Sequence, residues 1–273
     1  MLHRCPICSS NDSKRIHSQE VGDYLYYYSV CRNCGFVYQH ERYPVEHYTK
    51  LPYQSPRDYI EHAKNRAGYI YDFVSKYTNT ADNLDMLDIG CGKGAVMYCA
   101  KKIFPNIRTA TGYTLDMGET PFDKRLNIIY KNFEDLIITD CAFDFVIMSH
   151  ILEHFYDPVK AMNNVWKITK PTAFVYVEVP NLYWTEIRIP SVFSPEHLSY
   201  FTLTSLQNVF LQTGFVPIKI KASHYWGNIK ALLYKWPTHK KIKKEKWVEQ
   251  KYNWVKLLYP YYRKRLNKAG PND

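Results

Sequence analysis

Leu87-Asp88-Ile89-Gly90-Cys91-Gly92-Lys93-Gly94 is the stretch that decides the fold. An apolar run over Leu84–Ile89 breaks into three alternating glycines, and a helical pattern follows over about 94–104. Glycine turns tightly without a Cβ penalty and lets a ligand lie against bare backbone. In open α/β sheets ligands sit at the carboxyl ends of the strands, where this turn falls. A dinucleotide turn is the first competitor. Its Gly-x-Gly-x-x-Gly does not fit Gly90, Gly92 and Gly94, and the Gly-Lys-Ser/Thr of a phosphate loop is missing.

Working outward, apolar and β-branched runs predict further strands over Thr109–Tyr113, Asn127–Tyr130, Phe143–Met148, Ala173–Val179, Val216–Lys221 and Ile229–Lys235. Helical stretches lie near 156–169 and 202–213. An earlier helix should start at Ser55-Pro56 and reach about Tyr77, because Ile60, Ala63, Ala67, Ile70, Val74 and Tyr77 step by three and four. Strands alternating with helices predict an α/β fold, a doubly wound Rossmann-like sheet of seven mostly parallel strands with helices on both faces.

Upstream, Cys5/Cys8 and Cys31/Cys34 form two Cys-x-x-Cys pairs separated by 22 residues. Each is a knuckle that brings two thiolates to one ion, and two knuckles complete a tetrahedral site. Gly35 suits the tight turn, and Tyr24–Val30 reads as a strand between the knuckles. The expected organisation is a zinc ribbon over 1–45, the α/β domain over 46–236 and a basic tail over 237–273.

The composition agrees with a packed protein. Of 273 residues, 46% are hydrophobic and 23% charged, which excludes disordered, collagenous and coiled-coil chains. No window approaches the roughly 18 apolar residues of a membrane-spanning helix. Met1–Pro6 lacks the apolar stretch of a secretory signal, so a cytoplasmic location with reduced cysteines is expected. The net charge of +10 is concentrated in 240–268, where eleven Lys or Arg face only Glu245 and Glu249. Trp247, Val248, Tyr252, Val255 and Tyr259 there fall at helical spacing. A helix docked on the domain is one expectation, and attraction to an anionic membrane surface or a phosphorylated carrier is another. Nucleic acid is disfavoured, because its basic footprint would cover a binding face rather than one tail.

Leu87–Gly94 resembles motif I of the class I S-adenosylmethionine-dependent methyltransferases. Phe143–Pro158, with its Leu152-Glu153-His154 and Asp157-Pro158, is similar to that family's fourth strand and the segment after it. Val177–Asn181 resembles the fifth strand, and Glu196–Thr202 with Leu206 and Gly214-Phe215 a later segment. The resemblance covers about 84–220. It implies S-adenosylmethionine as cofactor, with Asp88 ordering the turn and Gly90, Cys91 and Gly92 against the ligand. Ser149 and His150 would border the methionine, and Asn132 and Phe133 the adenine. Where the family holds the ribose with an acid, this chain has Thr114, so Asp116 or Glu119 is the expected substitute. Cys91, Cys99 and Cys141 read as small packing residues.

Glu196-His197-Leu198-Ser199-Tyr200 is similar to the Glu-His-x-x-Tyr acceptor segment of sugar C-methyltransferases. It marks His197 as candidate general base, Glu196 as the group that orients or tunes it, and Tyr200 as a third member. Loop packing, and acceptor binding without proton transfer, are the alternatives for His197; His154 is expected to be structural. The expected acceptor is a small molecule: a sugar, sugar nucleotide or surface-glycan precursor, methylated on oxygen, nitrogen or carbon. The sugar C-methyltransferases carry a further C-terminal domain for which this length leaves no room. An RNA methyltransferase and a degenerate cofactor-binding module remain as competing readings.

Overall fold

The computed structural model describes residues 4–40, 59–78, 83–115, 121–136, 141–182, 193–222 and 227–235. The connector at 41–55, the start of the first helix, Asp116, Glu119 and the basic tail lie outside them. Seven strands form the central sheet: β4 (Leu84–Ile89), β5 (Ile107–Thr114), β6 (Asn127–Tyr130), β7 (Phe143–Ser149), β8 (Thr169–Pro180), β10 (Phe215–Ala222) and β11 (Asn228–Lys235). Their order is β10-β11-β8-β7-β4-β5-β6, and β11 alone runs against its two neighbours. The doubly wound α/β fold expected from the glycine turn is present.

The central strands are apolar on both faces because both are covered. Phe145 and Ile147 of β7 face α1 (Tyr59–Thr78) and α2 (Ala95–Ile103), with Ala67, Ile70, Val74 and Met97. Val146 and Met148 face α3 (Pro158–Ile168) and α4 (Leu203–Gln212), with Met162, Val165, Leu206 and Phe210. Helix starts are fixed by local chemistry. The Asp157 carboxylate accepts from the Lys160 N–H ahead of Pro158, and Thr202 and Ser205 cap each other's backbone.

The N-terminal segment is a three-stranded antiparallel ribbon of β1 (Ser13–Val21), β2 (Tyr24–Cys31) and β3 (Val37–Gln39). It does not stand apart from the rest. The short β9 (Ser199–Tyr200) pairs with β3 as a fourth strand, Val37 opposite Tyr200 and Tyr38 opposite Ser199. Cys5, Ile7, Phe36 and Tyr38 share one buried cluster with Ile89, Val146, Phe155 and Phe201. The ribbon therefore completes the core on the α3–α4 face. Among the described residues, no helix is long and apolar enough to cross a membrane.

Candidate functional site

The glycine turn leaves β4 between β5 and β7, at the carboxyl end of the parallel strands. Gly90, Gly92 and Gly94 all have positive φ, at 78°, 51° and 81°. The Gly90 and Cys91 N–H groups donate to the Tyr113 carbonyl at 2.7 and 3.2 Å, which ties the turn to β5. The three glycines have different reasons. A Cβ on Gly90 would meet Ile151 Cγ1 at 2.5 Å, and one on Gly94 would meet Leu126 at 2.7 Å. A Cβ on Gly92 would meet nothing within 4 Å. Gly92 thus presents the open face, whereas Gly90 is small so that Ile151 can approach. A side chain at Gly90 would therefore enter Ile151 first.

Asp88, next to last in β4, is buried at 4% exposure, and its Oδ2 has no hydrogen-bond partner among the described residues. Burial pushes its carboxyl up to about 7, opposed by the distant charge of Arg66. A buried acceptor left orphaned costs free energy unless a donor arrives, which suits a ligand bound at this turn. Cys91 lies tightly against Gly112, and burial raises its thiol far above the ordinary range, so it is inert as a nucleophile.

The other cofactor residues are placed around this turn with varying freedom. Thr114 ends β5 opposite Tyr130 of β6. Asn132 is committed locally, with Oδ1 accepting from Glu134 N–H at 3.1 Å and Nδ2 donating to Asp135 at 2.7 Å. Phe133 is buried between Tyr113 and Phe155. Ser149 donates to Glu178 Oε2 at 3.2 Å. His150 has a positive φ of 54° and stands between two buried acids, Glu153 at 3.5 Å and Glu178 at 3.8 Å. Burial works against its charge, but Glu153 and Glu178 outweigh it and raise the imidazole to about 9.

Glu178 was not singled out from the sequence. It is the hub of this side, accepting from Tyr176 Oη at 2.9 Å and Asn228 Nδ2 at 2.8 Å, with Lys230 Nζ at 3.5 Å. The available signal was an acid inside an apolar, fully covered strand. An open depression of about 460 Å³ lined by Glu134, Asp135, Lys160 and Asn164 includes none of Asp88, Gly92 or His197.

The residues expected on the acceptor side lie near Glu153. Donor atoms of Glu153, His154 and His197 all lie within 4.8 Å of one another, close enough to share a proton or a cation. Glu153 is 1% exposed and neither oxygen has a hydrogen-bond partner among the described residues. The His154 and His197 rings meet edge to face at 4.9 Å between centroids. His154 Nδ1–H donates to the Glu196 carbonyl at 2.9 Å. Burial first, and His154 second, lower His197 to about 4, so it is a neutral imidazole at pH 7. Glu153, 44 residues upstream in the chain, pulls on it more strongly than the adjacent Glu196, and both favour its charged form. Tyr200 is not turned to this cluster by its hydroxyl. That group is buried, donates to the Ser194 carbonyl at 2.9 Å and accepts from its N–H at 3.1 Å, within the aromatic packing of Tyr28 and Phe193. Its ring, however, meets the His197 ring edge to face at 6.2 Å between centroids, so Tyr200 packs beside His197 with its hydroxyl engaged elsewhere.

The four N-terminal cysteines converge. Cys5 Sγ lies 3.6 Å from Cys34 Sγ and Cys8 Sγ 3.5 Å from Cys31 Sγ, and all four lie within 4.8 Å of one another. Tetrahedral bonds of about 2.3 Å put thiolates roughly 3.8 Å apart, so the arrangement suits one ion. The Gly35 N–H donates to the Cys31 carbonyl at 2.8 Å with φ at 82°, closing the second knuckle.

A family model described as a methyltransferase domain matches residues 59–220. A probable S-adenosylmethionine-dependent methyltransferase of Mycolicibacterium smegmatis is 23% identical over 135 residues, 48% of this chain and 51% of that protein. The ubiquinone biosynthesis O-methyltransferase of Rickettsia canadensis is 24% identical over 126 residues, 42% of this chain and 51% of that protein. The chain thus spans about half the length of these curated relatives. Among solved structures, an S-adenosylmethionine-dependent methyltransferase of Archaeoglobus fulgidus superposes with TM-score 0.51 at 17% identity, over 64% of this chain and 94% of that one. A protein of Pyrococcus horikoshii superposes with TM-score 0.52 at 15% identity, over 71% and 100%. With the glycine turn, the strand order and a family match over more than half its length, the chain belongs to the methyltransferase-domain family and has the class I methyltransferase fold.

Proposed function

We propose that this chain transfers a methyl group from S-adenosylmethionine to a small-molecule acceptor, a sugar, sugar nucleotide or surface-glycan precursor. The observation that carries the cofactor half is Asp88, buried with an orphaned oxygen beneath a glycine turn whose Gly92 face is open. When bound, S-adenosylmethionine supplies an electrophilic methyl group on a sulfonium sulfur. The chain's part is alignment, because an in-line displacement depends on orientation more than on covalent chemistry. Gly90, Cys91 and Gly92 offer backbone at the turn; Ser149 and His150 form the adjoining edge; Thr114 and Asp116, with Asn132 and Phe133, take the ribose and adenine side.

His197 takes the acceptor's proton. As a neutral imidazole it can accept a proton, and the Glu153 carboxylate offsets part of the cost that burial and His154 place on the charge it gains. The names of the Rickettsia relatives support oxygen as the atom methylated. Cys5, Cys8, Cys31 and Cys34 hold one structural zinc, supported by their spacing and convergence. We assign the protein to the cytoplasm, with the basic tail as a contact for an anionic membrane surface and no role for nucleic acid.

The test has two arms. Calorimetry with S-adenosylmethionine should show one site, and Asp88→Asn should weaken it; absence of binding would favour a degenerate module. Radiolabelled methyl transfer should then be read against nucleotide sugars, phosphorylated glycan lipids, phenols and RNA, with and without a chelator. Labelling of RNA alone would overturn the acceptor reading. A reversible requirement for an added divalent cation, with zinc retained in the ribbon, would overturn His197 as base and make it a ligand.

A further inference from the structure

The turn that carries His197 is held from two sides. From within the methyltransferase domain, the Leu198 N–H donates to the Glu153 carbonyl at 2.8 Å, and His154 Nδ1–H donates to the Glu196 carbonyl at 2.9 Å. From the ribbon, one residue makes two bonds. The Gln39 backbone N–H donates to the Leu198 carbonyl at 2.9 Å, and its Nε2 donates to the Pro195 carbonyl at 3.2 Å. Gln39 is 1% exposed, at the end of β3, next to the β3–β9 pairing.

Carbonyls 195, 196 and 198 of the turn are thereby fixed, two of them by Gln39. A buried primary amide is expensive to desolvate, and an apolar residue of similar length would fill the same space. Its bonds reach a turn 156 residues away in the chain, with His197 between the two carbonyls it holds. We infer that Gln39 is a positioning residue, and that the cysteine-bearing ribbon supplies through β3 the brace that fixes the His197 turn against Glu153. The inference rests on reading His197 as the acceptor-side residue, but its geometry is independent of whether His197 moves a proton. It gives the ribbon a role in the site: whatever holds the four cysteines together holds β3, and β3 holds the turn.

The experiment reads the imidazole itself, so it needs no acceptor. Diethylpyrocarbonate modifies neutral, accessible histidines, and peptide mass spectrometry resolves His197 from His154. In the full-length native protein His197 should react slowly. In Gln39→Met, which keeps the volume and the backbone bond but loses the Nε2 donor, it should react at least about tenfold faster, the equivalent of about 1.4 kcal/mol at RT ln 10. Ser29→Ala, equally buried in the ribbon but touching His40 instead, should leave the rate unchanged. If Gln39→Met loses its circular dichroism signal, Gln39→Leu, which fills the space and removes the donor, is read in the same way. An unchanged His197 rate in a folded Gln39 variant overturns the inference, and so does an equal acceleration in Ser29→Ala. Loss of methyl transfer in His197→Ala tests the base assignment separately, so the two can fail independently.

Discussion

The cofactor end and the acceptor end of the site are built in opposite ways. At the cofactor end the core is one continuous turn, Asp88 to Gly94, tied to the neighbouring strand through the Tyr113 carbonyl, with Thr114, Asn132, Phe133, Ser149 and His150 ranged around it. At the acceptor end three remote segments converge: Glu153 and His154 after β7, the Pro195–Leu198 turn before β9, and Gln39 from the ribbon. Local construction makes the first end tolerant of change elsewhere. The second end is only as rigid as the packing among its parts, and the ribbon is one of those parts.

The most damaging way to probe this contrast is to open the ribbon. Cys5→Ser with Cys8→Ser should abolish zinc measured by elemental analysis. Even about 4 kcal/mol of the roughly 10–16 kcal/mol that such sites contribute would lower the melting temperature of a domain of this size by roughly 8–16 °C. Cofactor affinity in the surviving folded fraction should change little. A metal-free native protein with unchanged melting temperature would show that the ribbon is not braced by an ion.

Next in size is His197→Ala. It should lower turnover by about 10²–10⁴ with cofactor affinity intact, and His197→Gln should recover little. With His197 lowered to about 4, the acid limb of the rate–pH profile should fall near pH 4 rather than at the ordinary imidazole value of about 6.5, leaving this step flat from about pH 5.5 upward. The linked stability has the same sign. The unfolded chain takes up that proton near 6.5, so the stability gained from keeping His197 neutral is lost as the pH falls from 6.5 toward 4. A limb near 6.5 that vanishes in the Ala variant would show that the turn is looser than described.

Asp88→Asn should act at the other end alone. Losing a charged hydrogen-bond acceptor should weaken cofactor binding by about 1.5–3 kcal/mol. Without ligand the same change should stabilise the protein at pH 8. The folded-state pKa of about 7 lies above the ordinary carboxyl value, so the wild-type fold loses stability as pH rises from about 4 to 7. A shift of about three units corresponds to roughly 4 kcal/mol at most. Chemical denaturation at pH 4 and pH 8 checks this: the advantage of Asn should be present at pH 8 and vanish at pH 4.

The smallest and sharpest comparison is within the turn. Both carry the strain of a positive φ, but Gly90→Ala should cost more stability, because its Cβ also meets Ile151, whereas Gly92→Ala should spare the packing and weaken the ligand. Equal effects on both quantities in both variants would remove the distinction between the packed and the open glycine.

By itself the sequence determined the alternation of strands and helices, the glycine turn with its buried acid, and the paired cysteines. Each is written in neighbouring residues: apolar runs covered on both faces, a backbone needing positive φ, two thiols one knuckle apart. The tertiary structure decided what pairing at long range decides. Glu153 joined Glu196 as an acid acting on His197, and the stronger of the two, because the fold brings 153 and 197 together. Tyr200 became a packing residue, because β9 joins the ribbon and points its hydroxyl to Ser194. Glu178 and Gln39 surfaced for the same reason. A polar side chain's role is set by the partner it meets when desolvated, and that partner is chosen by the fold rather than by its neighbours in the chain.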